Sequence, residues 1–119
     1  MELEHRSFDT PDEVLEFDKL RIDELRLGLG VIDRKVFAPG WRWSIHYRPY
    51  AEMAWCDELH VLYHHAGQFR FAFPDGTEFE AGPGDVSVLP AGHDAWVVGD
   101  APVVVIDLIG LLQDNRREH

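Results

Sequence analysis

The sequence predicts an all-β barrel or sandwich, with one short helical turn near the N-terminus. Three observations predict it. The 10 glycines and 7 prolines all fall at or after Gly28, Pro11 excepted, so turn punctuation crowds the last three quarters of the chain. Between the turns lie apolar stretches of about four to eight residues, the length of strands rather than of helices. The chain has 119 residues, one domain by length, and can bury roughly 65% of the surface its unfolded form exposes.

The elements follow in order. Thr10-Pro11-Asp12-Glu13 has the form of a helix start, with a capping Thr, Pro at the first helical position and acids in the first turn. Val14, Leu15 and Phe17 give that turn an apolar side. From Leu20 onward Leu20, Ile22, Leu25, Leu27 and Leu29 nearly alternate. A helix fits Ile22, Leu25 and Leu29, and a strand fits Leu25, Leu27 and Leu29; the strand is preferred. Residues 31–37 are rich in β-branched side chains. Residues 41–47 alternate Trp41, Trp43, Ile45 and Tyr47 against Arg42, Ser44 and His46, which predicts another strand. Residues 59–65 and 68–73 are strands joined at Ala66-Gly67, read as a tight hairpin. Pro74-Asp75-Gly76 turns the chain into a strand at 77–80. Strands at 86–89, 95–98 and 103–108 complete the set. The polar tail 113–119 frays or forms one exposed helical turn. In outline, 1–30 is an N-terminal arm and strand, 31–110 the barrel, and 111–119 the tail.

Composition narrows the function. The chain is 45% hydrophobic and 28% charged, the balance of a globular protein. Its formal charge of −11 argues against nucleic acid and anionic membranes as partners. The longest apolar run, around Val103-Val104-Val105-Ile106, is far short of the ~20 residues that span a bilayer. The acidic N-terminus lacks the apolar stretch of a secretory signal. One cysteine, Cys56, excludes an internal disulfide, so the expectation is a reducing, cytoplasmic setting. No nucleophile elbow, phosphate loop, CxxC pair or HExxH sequence is present.

The most informative stretch is Gly82-Pro83-Gly84-Asp85, then Val86-Ser87-Val88-Leu89, then Pro90-Ala91-Gly92-His93. It is a glycine-rich turn, a short buried strand and a second turn that delivers a histidine. This resembles the second motif of the cupin superfamily, with Gly84, Pro90 and Gly92 at the family's spacing. The first cupin motif is anchored on Gly67, after Leu62-Tyr63-His64-His65-Ala66. Pro39-Gly40-Trp41-Arg42-Trp43-Ser44, Cys56, His60 and Asp94-Ala95-Trp96 also resemble small single-domain bacterial cupins. The matched stretches cover most of 31–107. A competing register through Gly40, His46 and Glu52 fails, because its closing glycine falls on Leu59. The resemblance implies a double-stranded β-helix, or jelly-roll, barrel. It also implies a homodimer, with the first 30 residues as candidates to cross onto a neighbour's sheet.

The implied metal ligands are irregular. The family's two first-motif histidine positions fall on Ala54 and Cys56, its glutamate position on His60, and its second-motif histidine position on Ala95. His93, two residues before Ala95, points the same way in an extended chain and can replace it. The candidate metal ligands are therefore Cys56, His60, His93 and His46. One thiolate with two or three imidazoles suits Zn²⁺, and Fe²⁺ or Cu less selectively. Each candidate also has a plain alternative as a buried or hydrogen-bonded core side chain. His64 lies about 13 Å beyond His60 on a regular strand, too far to share a metal, and lines the ligand pocket or serves as a satisfied core group. Trp43 and Trp96 are candidates to line a ligand pocket. Glu52, Asp57, Glu58 and Asp94 are near enough in sequence for one of them to orient a histidine.

Three functions follow. The first is a small metal-binding barrel that holds an organic ligand, as a sensor or accessory protein. The second is a metal-dependent oxygenase, isomerase or lyase. The third is a metal-free interaction module.

Overall fold

The computed structural model describes residues 2–51, 55–56 and 58–112. Glu52, Ala54, Asp57 and the tail 113–119 lie outside the described residues. Among the described residues nine strands run β1 (Glu13–Phe17), β2 (Leu20–Leu27), β3 (Gly30–Phe37), β4 (His60–Ala66), β5 (Gln68–Ala72), β6 (Glu78–Ala81), β7 (Val86–Leu89), β8 (Asp94–Val98) and β9 (Val103–Asp107). They form a six-stranded sheet, β1-β2-β3-β9-β4-β7, and a three-stranded sheet, β6-β5-β8. Every pairing is antiparallel. This is the expected jelly-roll type of barrel.

The core lies between the sheets because side chains alternate across each strand. Leu20 and Ile22 of β2, Phe37 of β3, Leu62 of β4, Phe69 and Phe71 of β5, Leu89 of β7 and Val103 and Val105 of β9 are all buried. Phe37, Trp41 and Phe69 pack ring on ring at 4.4 to 6.0 Å. Each half-exposed strand thus contributes one apolar face, as its sequence alternation requires.

Three local expectations are corrected. The N-terminal helical turn is absent: Asp12 donates its N–H to Glu24 O, and β1 starts at Glu13. Pairing with β2 uses the backbone groups that a helix needs, and Pro11 holds Thr10 away from helical geometry. The strand at 41–47 is also absent. Arg42 makes one bridge to Trp96, and then the chain coils through a π-helical turn (Trp43–Tyr47) and an α-helical turn, α1 (Arg48–Ala51). Asp94 drives the change: its carboxylate accepts the Ser44 N–H and the Arg42 Nε–H.

The third correction concerns Ala66-Gly67, which is not a hairpin. β4 and β5 belong to different sheets, so the chain crosses between layers there. A bulge lies between His64 and Ala66. Gly67 has φ +80°, and a Cβ on it would collide with the Pro102 carbonyl oxygen, so glycine is required. β2, a candidate for crossing onto a neighbour, pairs with β3 of its own chain. Residues 109–112 form one helical turn. Among the described residues, no helix is long and apolar enough to cross a membrane.

Candidate metal centre

The two sheets leave a cavity of about 280 Å³ between them, at the small end of ligand pockets. Its walls are apolar and aromatic, with Phe37, Trp41, Trp43, Phe69 and Phe71 prominent. Its polar groups include Lys35, Tyr47, Cys56, Glu58, His60 and His93.

Three of these converge. Cys56, His60 and His93 each offer a ligand atom, and the three atoms lie within 4.8 Å of one another. Local backbone structure brings them there. Pro90-Ala91-Gly92 turns through Gly92, at φ +92°, and releases His93 just before β8. An isolated bridge then holds Cys56 against it: Cys56 N–H donates to His93 O at 2.8 Å, and Gly92 N–H returns to Cys56 O at 2.6 Å. His60 opens β4 on the same side, with Nε2 3.7 Å from Cys56 Sγ.

Supporting hydrogen bonds fix which nitrogen of each ring carries the proton. His60 donates Nδ1–H to Asp107 Oδ2 at 2.7 Å. Asp107 is held in turn by Lys35 Nζ at 3.0 Å and by the Ile109 N–H at 3.1 Å. His93 donates Nδ1–H to the Pro90 carbonyl at 2.9 Å. Both Nε2 lone pairs are therefore left for a ligand, the arrangement metal-binding histidines use.

The electrostatics agree. Burial pushes the Asp107 carboxyl up, but the His60 hydrogen bond and the Lys35 charge outweigh it and hold the group well below the usual carboxylate range. Burial disfavours the Lys35 ammonium, and Asp107 and Asp33 more than restore it, so it titrates above its usual value. Burial lowers the His93 pKa, with a further push from His60, which keeps the ring neutral and able to donate its lone pair. Burial raises Asp33 to about 6, and its buried Oδ1 has no hydrogen-bond partner among the described residues.

The donor set fits a divalent metal. In a tetrahedral zinc site, neighbouring sulfur and nitrogen donors stand about 3.6 Å apart, given Zn–S and Zn–N bonds of about 2.3 and 2.05 Å. The Cys56–His60 separation of 3.7 Å already matches that edge.

Other sequence candidates fall elsewhere. His46 does not join the group. It sits on the π-helical turn, where its Nδ1 is 3.0 Å from the Arg42 backbone nitrogen and its Nε2 faces Asp18 at 4.0 Å. The strand expected over 41–47, on which His46 neighbours the cavity, does not form there. His64 is not a pocket residue. It is buried beyond the cavity, with Nε2 2.9 Å from Ser87 Oγ and its ring on the edge of Phe71. This is the satisfied core role, and burial lowers its pKa. Trp96 is not a pocket residue either. Ala95 and Val97 take the inward positions of β8, so Trp96 faces out beneath the Arg42 guanidinium, 4.3 Å from its ring centre. Trp43 does line the cavity.

Sequence reasoning missed Lys35, Asp107 and Tyr47. A signal was available for two of them: Lys35 is in phase with inward Phe37, and Asp107 with inward Val103 and Val105. A charged residue in step with an apolar strand face marks a polar group inside the barrel.

Comparison with known proteins places the fold. No family model matches the chain, and no curated protein matches it. Solved structures do. Oxalate decarboxylase from Bacillus subtilis matches with a TM-score of 0.59 and 21% identity over 81% of this chain and 26% of its own. A cupin-like protein from Thermotoga maritima gives 0.54 and 18%, over 74% of this chain and 65% of its own. A protein of unknown function from Acidithiobacillus ferrooxidans gives 0.58 and 13%, over 81% and 86%. The chain thus spans about a quarter of the decarboxylase. The barrel is a cupin fold, and that fold hosts no single chemistry.

Proposed function

We propose that this chain is a small metal-binding cupin that takes zinc through Cys56, His60 and His93 and holds a small organic molecule in the adjoining cavity. Its role is that of a sensor or accessory protein. One observation carries the reading: both imidazoles commit Nδ1–H to an acceptor, and each offers a ring nitrogen within 4.8 Å of one buried thiol. Asp107, anchored by Lys35, fixes the orientation of His60. The aromatic walls exclude water and favour a mainly apolar ligand body. Bound zinc supplies a Lewis acid for an oxygen or nitrogen of that ligand. A reducing compartment such as the cytoplasm keeps the single thiol available. Pairing of two copies belongs to the same proposal, and a sedimentation mass near the 13.7 kDa of one chain would count against it.

A metal-dependent oxygenase, isomerase or lyase is the second reading. The opening of the cavity directly onto the donor group favours it. The ease with which a thiolate oxidises favours the first.

Metal analysis of untagged protein tests the reading. The expected result is about one zinc per chain, with Cys56→Ser losing it. Protein that neither contains zinc nor takes up added Zn²⁺ would refute it and leave the metal-free module.

A further inference from the structure

We propose that Glu58 is a fourth protein ligand, which closes the Cys56, His60 and His93 set when the cavity is empty and yields when an organic ligand enters. The inference rests on the metal reading above and adds a gate to it. Cys56, Glu58 and His60 lie close together in sequence, and all three line the cavity. Glu58 Oε2 lies 3.9 Å from His60 Nε2, the nitrogen that the Asp107 bond leaves available. Oxygen and nitrogen donors on one tetrahedral zinc stand about 3.4 Å apart. The Glu58 carboxylate stands outside the 4.8 Å donor group, and its side chain is 68% exposed, so it is free to rotate in when a metal binds.

Charge points the same way. A divalent ion on one thiolate and two neutral imidazoles leaves one positive charge at the mouth of an apolar cavity, an expensive place for it. Asp107 cannot balance it directly, being bound to His60 Nδ1 and to Lys35. Glu58 can. Glu58 lines the same cavity, and its carboxylate faces the His60 Nε2 atom. The exposure of the side chain lets it retreat at little conformational cost, so one group serves as both ligand and gate.

The test uses Co²⁺ as the probe on the full chain. Its visible absorption reports the coordination number, and its thiolate charge-transfer band reports Cys56 separately. Glu58→Gln is expected to weaken Co²⁺ binding by roughly 10- to 100-fold. It should also change the visible band and keep the thiolate band. Azide should bind the Co²⁺ form of the variant more tightly than that of the parent protein. Because Glu58 is exposed, thermal melting in chelator should be unchanged. If Glu58→Gln keeps parental affinity and spectrum while Cys56→Ser and His93→Ala lose both, Glu58 is no ligand and the metal reading stands. If the parent takes up no Co²⁺, or Cys56→Ser, His60→Ala and His93→Ala bind as it does, both ideas fall.

Discussion

Replacing Asp107 by Asn removes one charge and almost no volume, and it isolates the support under His60. The Lys35 and Asp107 side chains are only 15% and 3% exposed, so their ion pair is shielded from water. Removing one partner of such a pair costs about 3–5 kcal/mol. Here the lower end applies, because Asp33 remains beside Lys35 and relieves part of the stranded charge. A chain of this length has a total stability of roughly 6–18 kcal/mol at 0.05–0.15 per residue, so a loss of about 3 kcal/mol lowers the melting temperature by roughly 10 °C. Denaturant unfolding in chelator measures the loss without any metal contribution. The cycle of Asp107→Asn, Lys35→Met and the double variant isolates the pair. The double variant should cost less than the two singles together by at least ~1 kcal/mol. Metal affinity should fall about tenfold, since the Asn oxygen still accepts from Nδ1–H, though more weakly. Single effects that add within about 0.5 kcal/mol, or an Asp107→Asn loss below ~1 kcal/mol, would refute the argument.

Asp33 predicts a pH dependence. Its pKa rises from 3.8 to about 6 on folding, so the unfolded chain releases this proton first. Its contribution to stability is complete below pH 4 and is lost as pH rises through 6. The full shift is worth at most ~3 kcal/mol, and partial exposure to solvent reduces it to about 1–2. Asp33→Asn should flatten the stability profile between pH 4 and 6 and raise stability at pH 7, as measured by urea unfolding at several pH values; an unchanged slope would contradict this. Gly67→Ala should cost more than about 2 kcal/mol, since strain at positive φ adds to a collision with Pro102. Gly76→Ala has φ +91° but open space around the new Cβ, and should cost only about 1 kcal/mol by the same denaturation assay. His46→Ala should leave Co²⁺ affinity within about twofold in a chelator competition, because losing an outlying ring spares the donor set; a tenfold loss would return His46 to it.

The strands were legible where their signals are local. Apolar alternation between Gly and Pro turns located β3, β7, β8 and β9 to within a residue or so. Errors arose where distant residues decide. The helix-start pattern at Thr10 loses to Asp12 pairing with Glu24, and the alternation from Trp41 loses to the Asp94 carboxylate. The turn at Gly67 is as short as a hairpin, yet which sheet receives β5 depends on β6 and β8. The site divides in the same way. Cys56, His60 and His93 were found by their offsets from motif glycines, which the backbone turns fix. His46 falls away from the group because the neighbouring strand expected to carry it coils into a π-helical turn instead. Lys35 and Asp107 become a pair only when β3 and β9 lie side by side, across 72 residues of sequence.

X-ray absorption at the zinc edge of the loaded protein reads the proposed coordination itself. One sulfur at about 2.3 Å, two imidazole nitrogens at about 2.0–2.1 Å and one oxygen at about 2.0–2.2 Å are the expected shell, with the sulfur lost in Cys56→Ser. A shell of nitrogen and oxygen alone in the parent protein would mean that Cys56, His60 and His93 do not hold the metal together.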